Sequence, residues 1–133
     1  MQHRIFRSQT KKWEVLMTEA AQFGTRLGPE KIVSISHSSD SSDGVITVWY
    51  RDDRPSQPGL DLRVALFQSA FSSWSDLFQQ AADFVDTIGA QQVLSVSHSS
   101  DSSTGVIAVW HWALPEIAGA LSMRETPERL EGE

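Results

Sequence analysis

The segment Ser34–Trp49 reads SISHSSDSSDGVITVW, and Ser95–Trp110 reads SVSHSSDSSTGVIAVW. His37 thus recurs as His98 and Trp49 as Trp110, an offset of 61 residues (98 minus 37). The same offset aligns residues 5–50 with 66–111 without a gap. It matches Phe6 with Phe67, Trp13 with Trp74, Leu16 with Leu77, Phe23 with Phe84 and Gly28 with Gly89. A gapless repeat of this length restricts the chain to folds built from two copies of one unit.

Each copy opens on a short apolar run, Arg4–Arg7 or Val64–Phe67, that reads as a strand. Serine-rich residues follow, where a helix N-cap is expected. Trp13, Leu16, Met17, Ala20, Phe23 and Leu27 then recur at three- and four-residue spacing, as do Trp74, Leu77, Phe78, Ala81, Phe84 and Ile88. This predicts an amphipathic helix ended by Gly28 or Gly89. Two β-rich runs complete the copy, Lys31–Ser36 and Val45–Tyr50 in the first. The loop between them is too short for a crossover, so they pair as an antiparallel hairpin. The unit is β-α-β-β and the class α+β. The expected architecture is a tandem duplication forming a two-layer α/β sandwich, with both helices on one side and a pseudo-twofold axis. The boundaries are residues 1–52 for the first repeat, 53–62 for a linker, 63–113 for the second repeat, and 114–133 for a tail holding a short helix and then a disordered end.

Side chains alternate along a strand. Pairing Ser36 with Val45 sorts Val33, Ile35, His37, Ile46, Val48 and Tyr50 onto one face, which the helix should cover. Ile32, Ser34, Ser36, Val45, Thr47 and Trp49 fall on the other. A slip of two residues preserves this sorting. The second copy sorts alike, with Ser95, Ser97 and Trp110 on the mixed face.

Those mixed faces carry the leading site candidates: Trp49, Trp110, Ser34, Ser36, Ser95 and Ser97. Tryptophan anchors contacts well because it offers large area with few rotors, and the serines let a second surface approach closely. The competing readings place both tryptophans in a core, or stack a planar ligand on them. The loops offer His37, Asp40, His98 and Asp101. They lack the spaced acids of a calcium loop, and the second copy has Thr104 where the first has Asp43. Ser36 and Ser38 alternate away from His37, so no Ser-His arrangement forms within one strand. The bland reading is that each histidine packs on Trp13 or Trp74 and anchors its loop, while aspartate, serine and a positive-φ glycine shape the hairpin turn.

A net charge of -6 argues against a nucleic-acid backbone as partner. No apolar run is long enough to span a bilayer, and with no cysteine there are no disulfides or thiolate metal sites. These features suit a cytoplasmic protein. Taken together, the residues predict a protein without enzymatic activity or a bound cofactor. It would contact a protein partner or itself through the serine-tryptophan face, as a homo-oligomer or a subunit of a complex. The alternatives are a protein binding a flavin-like planar ligand, and a metal enzyme using His37 or His98 with Asp40 or Asp101.

The pattern Trp-x-x-Leu, Ile-Ser-His-Ser and Gly-Val-x-x-Val-Trp resembles that of small uncharacterised bacterial proteins, which often carry it in one copy; the resemblance covers residues 5–50 and 66–111 and implies no activity. The β-α-β-β order also resembles, in topology alone, that of dodecins, which assemble into shells and stack flavin on tryptophan. That likeness implies assembly and tryptophan stacking.

Overall fold

The computed structural model describes residues 1–40, 43–55, 59–101 and 104–115; the expected tail helix and disordered end lie outside them, apart from Leu114 and Pro115. Strand β1 (Gln2–Ser8), helix α1 (Trp13–Leu27), β2 (Ile32–Asp40) and β3 (Asp43–Tyr50) are followed by β4 (Asp61–Ser69), α2 (Trp74–Ile88), a single 3-10 turn, β5 (Val93–Asp101) and β6 (Thr104–Ala113). The class is α+β, with two three-stranded antiparallel sheets ordered β1-β3-β2 and β4-β6-β5. Among the described residues, no helix is long and apolar enough to cross a membrane.

Both helices begin and end where the spacing places them. Ser73 accepts the Asp76 N–H at the start of α2, whereas Lys12 starts α1 without a side-chain cap. Gly28 and Gly89 take φ of 89° and 93° and return their N–H groups to Gly24 and Val85. Only glycine adopts such φ without strain. Gly44 and Gly105 serve a different purpose from the expected positive-φ turn. Each lies in a strand, and a Cβ there would come within 3.0 to 3.1 Å of the Trp13 or Trp74 indole. They let the first residue of each helix lie flat on the hairpin.

The hairpins are tighter than a loop from Ser38 to Gly44 implies. Pairing continues to Asp40 opposite Asp43 and to Asp101 opposite Thr104. Ser36 stands opposite Thr47 rather than Val45, the two-residue slip that leaves the faces unchanged. A register shift between Ile32 and Ser34 exchanges the two residues before it, so Ile32 is buried and Val33 exposed. The expected linker also ends early, because Asp61 and Leu62 are already strand and Leu62 is buried against α1.

The largest difference from expectation concerns the helices. They do not share a side, and no twofold axis relates the two units. Helix α1 packs on the aliphatic face of the first sheet, with Ile35, Ile46 and Val48. The same cluster takes in Leu62, Val106, Ala108, Trp110 and Trp112 of the second sheet. On the opposite face of that sheet, Ile107 and Val109 pack on Leu77 and Ala81 of α2. The layers therefore run sheet, α1, sheet, α2, and the units are stacked head to tail. The physical reason is that the second sheet is apolar on both faces, and α1 carries two apolar stripes that fill the gap. On α1, Trp13 lies over Gly44 of the first sheet, while Met17, Ala21 and Gly24 lie toward Val64 and Leu62 of the second.

Gly24 makes this packing possible. A Cβ there would fall 2.3 Å from Leu62 Cδ2 and 3.0 Å from Ile32 Cδ1. The matching residue of α2, Val85, faces no second sheet. Gly24→Val is therefore expected to destabilise the protein by about 1–3 kcal/mol, read from the urea midpoint, although valine is the better helix former.

Candidate functional site

Where the sheets meet, β2 and β5 run side by side in a parallel sense, with partners 60 residues apart. Ser95 Oγ donates to the Ile35 carbonyl at 3.0 Å and accepts the Ile35 N–H at 3.4 Å. One step along, Ser97 Oγ bonds His37 Nδ1 and accepts the Trp110 Nε1–H at 3.2 Å. The serine hydroxyl has one proton and two lone pairs, so while holding the indole it can donate to a bare Nδ1 in one His37 tautomer or accept from Nδ1–H in the other. His37 Nε2, Ser39 Oγ and Ser99 Oγ have no hydrogen-bond partner in this buried seam.

His37 is buried in this seam. Burial, reinforced by the charge of His98 and opposed by the Val106 backbone, pushes its pKa down to about 4. The ring also meets the Trp13 indole edge-on at 5.1 Å, and His98 meets Trp74 in the same way at 5.6 Å. These are the histidine–tryptophan contacts expected from the sequence. The Ser97–His37 pair was not legible within either repeat, since its members come from different copies. Both are buried, and the serine oxygen is held by Trp110, so the pair has no face to present to a substrate.

The two serine-tryptophan faces have opposite environments. Trp110 is fully buried against α1, and Ser97 is buried with it, while Ser95 is half-buried in the seam. Ser95, Ser97 and Trp110 are thus internal packing groups, which corrects their reading as partner-binding residues. Trp49 remains 39% exposed, Ser36 is exposed and Ser34 half-buried. The imidazole of His3, its strand neighbour, rests on the Trp49 ring at 5.1 Å, and Ile5 extends the patch. A planar ligand has no access to Trp110.

The second helix has an open face too. Trp13 is 8% exposed but Trp74 is 39%; Met17 is fully buried, whereas its counterpart Phe78 is exposed. Trp74, Phe78 and His98 are in mutual ring contact. Together with Ser38, Ser39, Ser99 and Ser100 they line a recess of about 560 Å³. His98 is exposed beside it, whereas His37 is not. Asp40 and Asp101 are placed by their backbone pairing at the strand ends. Their side chains lie outside what the structure describes. Among the described residues, no three histidine, aspartate or glutamate side chains converge as metal ligands.

No family model, curated protein or solved structure matches this chain. The geometry itself carries the functional reading.

Proposed function

We propose that this chain is a non-enzymatic assembly module whose contact surface is the open serine-tryptophan face of the first sheet: Ser34, Ser36 and Trp49. One observation carries the proposal. The same face of the second sheet is covered by a helix, and in the first sheet it is left with a tryptophan, an isoleucine and a histidine at the surface. Contiguous apolar and aromatic surface of this kind usually marks a contact. Trp49 is the anchor, and the small serines beside it admit close approach.

Light scattering tests the proposal. The intact protein is expected above monomer mass, with Trp49→Ala returning it to monomer mass and leaving the far-ultraviolet circular dichroism native. Monomeric intact protein, or an assembly that survives Trp49→Ala, overturns the reading.

A further inference from the structure

We infer that the occupant of the Trp49 face is α2 with the β5 edge of a second copy, so that chains join head to tail by repeating the contact already made between their two halves. The inference rests on the assembly reading above and adds the other side of the joint.

The contact within the chain has named parts. From the second unit come Ser95, Ser97 and Trp110; from the first come Ile35, His37 and the α1 stripe of Met17, Ala21 and Gly24. Shifting every part by 61 residues describes the next contact. Ser34, Ser36 and Trp49 of one copy would meet Val96, His98 and the stripe Phe78, Ala82 and Val85 of another. Val96, His98, Phe78 and Ala82 take the places of Ile35, His37, Met17 and Ala21, while Val85 replaces Gly24, so helix and sheet stand farther apart at that point of the new joint. Ser36 stands to His98 as Ser97 stands to His37, and Trp49 can donate to Ser36 as Trp110 does to Ser97.

Exposure agrees with this assignment. Val96, His98, Phe78 and Ala82 are exposed, although their first-copy counterparts Ile35, His37, Met17 and Ala21 are buried. The recess beside His98 lies open where Ser97 occupies the corresponding place beside His37.

Two different surfaces meet in such a joint, so it is heterologous. It generates a ring if the rotation closes and a filament if it does not. A joint of two Trp49 faces would instead stop at a dimer.

The test uses two full-length variants, each with one blocked end. Trp49→Arg blocks the sheet face and leaves α2 intact. Ala82→Arg blocks α2 at an exposed position and leaves the sheet face intact. Each alone is expected at monomer mass in light scattering, with native circular dichroism. An equimolar mixture is expected at twice that mass and no higher, because the one good joint forms and cannot propagate. Phe78→Arg is the second α2 variant and is expected to behave as Ala82→Arg does. Self-association of both α2 variants, together with a monomeric Trp49→Arg, overturns the head-to-tail joint and leaves the Trp49 reading standing. A mixture that stays at monomer mass overturns the joint as well. Assembly in all three single variants overturns both readings.

Discussion

Trp110→Ala is expected to lower the unfolding free energy by about 3–5 kcal/mol, whereas Trp49→Ala is expected to change it by less than about 1 kcal/mol. The two tryptophans occupy the same place in nearly identical sequences, so local propensity predicts equal effects. Their surroundings differ. Trp110 is fully buried between α1 and the second sheet, and its indole proton satisfies Ser97. Its removal leaves a large cavity at the junction of both repeats and weakens the Ser97–His37 seam. Trp49 loses only contacts with solvent, His3 and its strand neighbours. Urea titrations followed by circular dichroism, at concentrations where the chain is monomeric, measure both. Equal losses would contradict the asymmetric stacking of the two units.

Acidification has the next largest expected effect: stability falls by roughly 2 kcal/mol between pH 7 and pH 5 through His37 alone. Folding holds the His37 pKa at about 4, below the ordinary 6.5. Below pH 6.5 the unfolded chain binds a proton that the folded chain refuses. The contribution is therefore fully present above pH 6.5 and is lost as the pH falls toward 4. His111 is shifted in the same direction by burial and by Arg63. The comparison that isolates His37 is the urea midpoint against pH for the intact protein and for His37→Asn. The variant is expected to be less stable at pH 7, because Ser97 loses its imidazole partner, but to fall less steeply on acidification. Parallel slopes would mean that His37 does not titrate as its burial requires.

Much of the fold was legible because its signals are local. Leucine, alanine and aromatic residues at helical spacing located α1 and α2, and alternation sorted the strand faces even though the register was two residues away. The exchange of Ile32 and Val33 was not legible, since a register shift leaves no mark in alternation. The layer order was harder still. Whether a serine-tryptophan face is core or surface depends on what the other repeat places over it, and the repeated segments themselves are almost the same. The signal lay in the positions where the copies differ. Leu66, Ala108 and Trp112 line the covered face, where the open one has Ile5, Thr47 and Arg51. Gly24 stands where α1 must touch a second sheet, and Val85 where α2 touches no second sheet of its own chain. Reading the repeat for its differences rather than its identities points to Trp49 alone as the open anchor. The Ser97–His37 bond was illegible for a related reason, since alternation within one strand excludes a serine partner and the partner comes from the other unit.

The most direct measurement of the account compares the indole N–H signals of the five tryptophans in nuclear magnetic resonance spectra of the intact protein and of Ala82→Arg, each assigned by single replacements. Ala82 lies on α2, which packs on the second sheet, whereas Trp49 lies on the open face of the first. A substitution there reaches Trp49 only through another molecule. The Trp49 signal, and the His98 ring signals with it, are expected to move to their dissociated positions in Ala82→Arg while the Trp110 signal stays where it was. A Trp49 signal identical in the two proteins would contradict the head-to-tail joint.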